Sequence, residues 1–71
     1  MSRYKVGTLL AAYEAFSIFE PKPVILGVVV RIRKGREGHN YFIDWTDNKT
    51  TMANEETVAQ LIDVLNGEVN K

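Results

Sequence analysis

The chain has 71 residues, nine basic and nine acidic side chains, and no cysteine. That bounds it to a single domain, residues 1–71, without a disulfide staple, a thiolate metal site or a cysteine nucleophile. A zero formal net charge also excludes the wholesale basicity of a dedicated nucleic-acid coat.

Apolar residues make up 45% of the chain, enough for one compact core. A domain this small buries only roughly 60% of its unfolded surface, so its stability margin is thin. Association with a partner, or with itself, is one remedy for such a margin. No signal peptide or transmembrane segment is visible: the longest apolar run, Val24 to Val30, is strand-sized.

From the N-terminus, Lys5-Val6-Gly7-Thr8-Leu9-Leu10 can pair as a strand, while Thr8 followed by LLAAYEAF also reads as a capped helix. A strand over roughly residues 5–13 is the preferred reading. Phe16 to Pro23 is then a long excursion, because Pro21 and Pro23 bar a regular helix or a central strand. Val24 to Lys34, rich in β-branched residues, is the clearest strand. Alternation gives Leu26, Val28, Val30 and Ile32 to one face. Ile25, Val29, Arg31 and Arg33 take the other. The first set is wholly aliphatic and is expected to face the core, with Gly27 marking a bulge or bend.

The loop Gly35-Arg36-Glu37-Gly38 leads to a partner strand, Tyr41 to Thr46. Asp44 is costly to bury unpaired. Tyr41, Ile43 and Trp45 are therefore expected inside and Phe42 outside, with Asp44 in a cross-strand ion pair with Arg31 or Arg33. Asp47-Asn48 signals a turn, and Lys49 to Ala53 a short strand. Asn54 then caps a helix over about residues 54–66. Glu55 and Glu56 lie at its positive end, Val58, Leu61, Ile62 and Leu65 form its apolar stripe, and Asn66-Gly67 stops it.

The strand-forming runs Lys5-Val6-Gly7-Thr8-Leu9, Gly27-Val28-Val29-Val30, Tyr41 through Asp47, and Thr51-Met52-Ala53 together resemble an SH3-like small barrel. Their spacing is similar to that of Tudor, chromo-barrel and KOW-type domains. It also resembles short SH3-like proteins encoded by phages, which carry a related aromatic strand and turn. The resemblance covers about residues 6–53 and implies a mainly β fold: a barrel of four to five strands over about residues 5–53 with an appended C-terminal α-helix. It further implies a phage-type or bacterial accessory protein, in the cytoplasm of a host cell or associated with a virion. Ala12-Tyr13-Glu14-Ala15 faintly resembles a run of signalling SH3 domains, but the paired tryptophans of those domains are missing, so proline-rich ligands are not expected. A methyl-lysine cage would draw on Tyr13, Phe16, Tyr41, Phe42 and Trp45 with Asp44 or Asp47. Alternation places Tyr41 and Trp45 in the core and weakens that reading.

Little in the sequence points to catalysis. His39 is the sole histidine and lies beside a glycine-containing turn, Ser2 and Ser17 have no visible base, and no phosphate-cradling loop is present. No enzyme activity, cofactor, metal ligand or membrane segment is expected. Charge, however, is uneven. Residues 31–43 carry Arg31, Arg33, Lys34 and Arg36 against Glu37, a net of +3. Residues 44–71 carry Lys49 and Lys71 against Asp44, Asp47, Glu55, Glu56, Asp63 and Glu68, a net of −4. Two binding functions follow. The favoured one is a protein-interaction module contacting a host or virion protein through Val29, Arg31, Arg33, Arg36 and Phe42. The alternative is nucleic-acid binding through Arg31, Arg33, Lys34, Arg36 and Phe42, cations interleaved with an aromatic that can stack a base. Homo-oligomerisation is compatible with either. Against both stands internal use of the same groups: ion pairing of the arginines, and cover for the outer apolar face from the excursion or the helix.

Overall fold

A computed structural model describes residues 2–14, 18 and 23–70. Four strands, β1 (Leu9–Tyr13), β2 (Val24–Gly35), β3 (Gly38–Trp45) and β4 (Thr50–Asn54), precede one helix, α1 (Glu55–Val69). The strands form an antiparallel meander in the order β1-β2-β3-β4. The fold is thus mainly β with a C-terminal helix, and the sheet is not closed among the described residues. Most of the excursion expected between Phe16 and Pro23 lies outside the described residues.

The β2–β3 hairpin organises the sheet. Gly35 pairs with Gly38 across a two-residue Arg36-Glu37 turn. Gly38 has φ +130°, where a side chain would be strained. β3 therefore starts at Gly38, earlier than the expected Tyr41. The β3–β4 turn uses Asn48 at φ 68°, a left-handed conformation that asparagine tolerates. The Lys49 N–H donates to Asp47 Oδ1 at 3.1 Å and locks it.

The inward face of β2 differs from the sequence expectation. Val29 is fully buried, whereas Leu26 is 50% and Val30 41% exposed. The register explains the exchange: Gly27 pairs with Trp45, Val29 with Ile43 and Ile32 with Tyr41, with a bulge between Val29 and Arg31. The extra residue, Val30, resets the alternation, so Val29 and Ile32 both reach the core although they are three apart. Ile32 faces inward as alternation predicts; Leu26, Val28 and Val30 do not. Upstream of Arg31 both faces of β2 are apolar, so amphipathicity could not choose between them.

Leu10, Val29, Tyr41, Ile43, Ala53 and Val58 form the core, flanked by Tyr4, Ile32, Trp45, Leu61 and Ile62. Tyr4 meets Tyr41 edge-on, with ring centroids 5.7 Å apart. Tyr41 and Ile43 are buried and Trp45 is half-buried, as alternation predicts. Gly27 serves a close approach here: a Cβ would lie 2.7 Å from Trp45 Cε3 and 2.8 Å from Ile43 Cγ2.

Strand β1 starts at Leu9 rather than Lys5. Residues 5–8 form a turn in which the Thr8 hydroxyl donates to the Lys5 carbonyl at 2.6 Å and the Thr8 N–H to the same oxygen at 3.1 Å. At the helix start, Asn54 Oδ1 accepts from the Thr57 N–H at 2.8 Å, the expected cap. The helix does not stop at Asn66-Gly67 but runs one turn further, to Val69. Glycine inside a helix costs only about 1 kcal/mol. The Tyr13 hydroxyl, donating to Glu68 Oε1 at 3.0 Å, fastens that last turn to β1.

Gly27→Ala forces the Trp45 ring or the β2 backbone to move. It is expected to lower unfolding free energy by about 1–3 kcal/mol, measured by urea denaturation followed by circular dichroism. An unchanged midpoint would mean that the ring relaxes freely.

Candidate interaction surface

The helix covers one face of the sheet through Val58, Leu61 and Ile62. On the other face, cross-strand partners line up as Leu9, Val28, Asp44 and Thr50 in one row, and Arg31, Phe42 and Met52 in the next. Directly opposed residues in an antiparallel sheet share a face, so these rows, with Leu26, belong to the face turned away from the helix. Leu9 is 63% and Met52 60% exposed. Leu9, Leu26, Val28 and Thr46 help to line a shallow, mostly apolar depression of about 310 Å³.

The Arg31 guanidinium lies 5.6 Å from the centre of the Phe42 ring. An exposed contact of this kind is worth about 0.5–1 kcal/mol and holds both groups in one place. The expected ion pair between Asp44 and Arg31 or Arg33 does not form: Asp44 faces Val28 across the strands and its Oδ1 accepts from the Thr50 hydroxyl at 2.8 Å. The bulge sets Arg31 on the same face as Asp44, opposite Phe42, where its guanidinium lies against the ring instead of the carboxylate.

The predicted contact residues therefore separate. Arg31, Arg33 and Phe42 share the outer face, as expected. Arg36 is exposed at the hairpin tip. Lys34 pairs with His39, on the register of the inner face. Val29 lies in the core and cannot touch a partner; its place on the outer surface is taken by Leu9, Leu26, Val28 and Met52. Outward Leu26 and Val28 are the price of the bulge, and only knowing its position would have revealed them from the sequence.

A second, polar cluster sits where α1 begins. The Tyr41 hydroxyl donates to Glu55 Oε1 at 3.2 Å and accepts the Tyr4 N–H at 3.4 Å. Glu55 Oε1 also accepts the Arg3 N–H at 3.5 Å and lies 3.7 Å from His39 Nδ1. His39, placed by the sequence beside a glycine-containing turn, is half-buried in β3. Extending the Tyr41, Ile43, Trp45 alternation back one step would have turned it inward. Beside it, the hairpin residues Gly35 to Asn40 and Asn54 line a cleft of about 390 Å³. Burial pushes the Tyr41 phenol up from its ordinary value; the Tyr4 N–H pulls it down, and Glu55 adds to the rise. The phenol therefore acts as a neutral hydrogen-bond donor that joins sheet to helix. No group of three or more metal-ligating side chains occurs among the described residues, and no helix there is long and apolar enough to cross a membrane. No family model, curated protein or solved structure matches the chain.

Folded Tyr41 holds its proton more tightly than unfolded Tyr41. Its contribution to stability is complete below the unfolded value of 10.0 and is lost as pH climbs through the raised folded value. Urea unfolding free energy is expected to fall as pH rises past about 10, and Tyr41→Phe is expected to reduce that fall. Equal slopes for the two proteins would assign the alkaline loss to other groups.

Proposed function

We propose that this protein is a non-enzymatic interaction module that binds another protein through the sheet face opposite the helix. The observation that carries this reading is the apolar outer face, with Leu9, Leu26 and Met52 exposed, Val28 and Phe42 half-buried beside them, and Arg31 held against Phe42 at its rim. Contiguous apolar surface rimmed by arginine suits protein recognition, in which a few aromatic and arginine anchors dominate affinity. A small β domain with one helix is compatible with a small barrel-like module. The likeness of its strands to short phage-encoded SH3-like proteins points to a host or virion protein as partner, met in the host cytoplasm or in the virion.

Nucleic acid is the second reading, favoured by Arg31, Arg33 and Phe42 on one face. It ranks lower because Lys34 lies on the opposite register and the centre of the face is aliphatic, whereas single-strand binders combine cations with stacked aromatics.

The test is capture by the tagged chain from a candidate host lysate, with and without nuclease, comparing wild type with a Leu26→Asp, Phe42→Ala double variant. A protein retained by wild type after nuclease and lost by a variant of unchanged circular dichroism supports the reading. Retention that vanishes with nuclease and falls steeply with salt makes nucleic acid the ligand.

A further inference from the structure

We propose that a second copy of this chain pairs with β4, joining two sheets across a twofold axis at Met52. β4 ends the sheet order, and among the described residues no strand pairs with its outer edge. Its sequence, Thr50-Thr51-Met52-Ala53-Asn54, holds no proline and no charge, the usual devices that keep an edge from pairing.

The ladder to β3 fixes which backbone groups point outward. The Trp45 N–H donates to the Lys49 carbonyl at 2.9 Å. Hydrogen-bonded and non-bonded pairs alternate along an antiparallel ladder. Thr51 with Ile43 and Ala53 with Tyr41 are then bonded pairs, whereas Thr50, Met52 and Asn54 turn their N–H and C=O groups away from β3. The Asn54 carbonyl begins the helix and the outward Thr50 N–H stays with solvent, which leaves both groups of Met52, the Thr50 carbonyl and the Asn54 N–H for a neighbour.

One antiparallel register uses them all. Met52 opposite the second copy's Met52 exchanges both hydrogen bonds, and each Thr50 carbonyl accepts the second copy's Asn54 N–H. The arrangement is isologous and closes on itself. The side chains agree with it. Thr51 and Ala53 are small and meet on the helix side, while Met52, 60% exposed in one copy, meets its counterpart on the outer face. Beyond the strand, Lys49, exposed at the β4 entrance, comes beside the second copy's helix start, which carries Glu55 and Glu56. The Lys49 ammonium, 4.0 Å from Asp47 Oδ2 within its own turn, is thus brought near those carboxylates at both ends of the paired strands. The interaction face of the previous section would become one surface running across the axis, but self-pairing does not depend on what that face binds.

Sedimentation equilibrium across a wide concentration range tests the proposal. Wild type is expected to reach a closed dimer. Met52→Pro removes an N–H that β3 does not use and is expected to weaken self-association at least about thirty-fold, with unchanged circular dichroism. Met52→Lys, which sets like charges opposite each other, is expected to do the same. Should both variants misfold, amide exchange of wild type decides: the Met52 and Asn54 N–H groups find acceptors across the axis, and these two amides are expected to exchange at least about ten-fold more slowly in concentrated than in dilute protein. A monomer at all concentrations, an open-ended oligomer, a dimer undiminished by folded Met52→Pro, or concentration-independent exchange at these amides overturns it.

Discussion

The bulge at Val30 is the constraint on which the rest of the molecule depends. Without it, a strand that buries Val29 would turn Ile32 outward, and Tyr41 would lose its cross-strand neighbour in the core. With it, Val29 and Ile32 face the same side and Arg31 comes opposite Phe42. One inserted residue therefore determines both the composition of the core and the chemistry of the opposite surface. Arg31 then lies against the Phe42 ring, and the Asp44 carboxylate accepts the Thr50 hydroxyl. Gly27 complements the bulge: it leaves room for Trp45 to lie over the strand, and the indole N–H then reaches Thr51 Oγ1 at 2.8 Å.

Sheet and helix meet at a single junction. Asn54 ends β4, caps α1 and precedes Glu55, which receives the Tyr41 hydroxyl. The buried tyrosine hydroxyl donates to the Glu55 carboxylate and accepts the Tyr4 amide, so the helix direction is tied to a position in β3. An unmet phenol there would cost about 1–3 kcal/mol, a large share of the stability of so small a domain.

Legibility followed contrast between faces. In β3, Asp44 stands between Ile43 and Trp45, and a charge among apolar neighbours declares its side; the burial of Tyr41, Ile43 and Trp45 was readable for that reason. In β2, Leu26 to Val30 offers no polar residue to break the tie, so alternation assigned Val29 to the wrong face. The helix start was readable because Asn54, Glu55 and Glu56 act locally through capping and dipole. Its end was not, because the bond from Tyr13 to Glu68 joins residues 55 apart. The outer surface was only half legible: Phe42, Arg31 and Arg33 follow from β3 and from the strand beyond the bulge, while Leu9 needed the pairing of β1. His39 was missed because Gly38 looked like loop, although it is the first residue of β3.

The meander has a consequence for how the chain assembles. Each strand pairs with its sequence neighbour, so the ladders can form by successive short closures, which favours rapid folding. The long reach belongs to α1, which packs back against β1 from the far end of the chain. The first strand and the helix are consequently joined. A growing chain would complete its sheet before the helix emerged to close it, and until then Leu10, Val29 and Tyr41 would stand open to solvent.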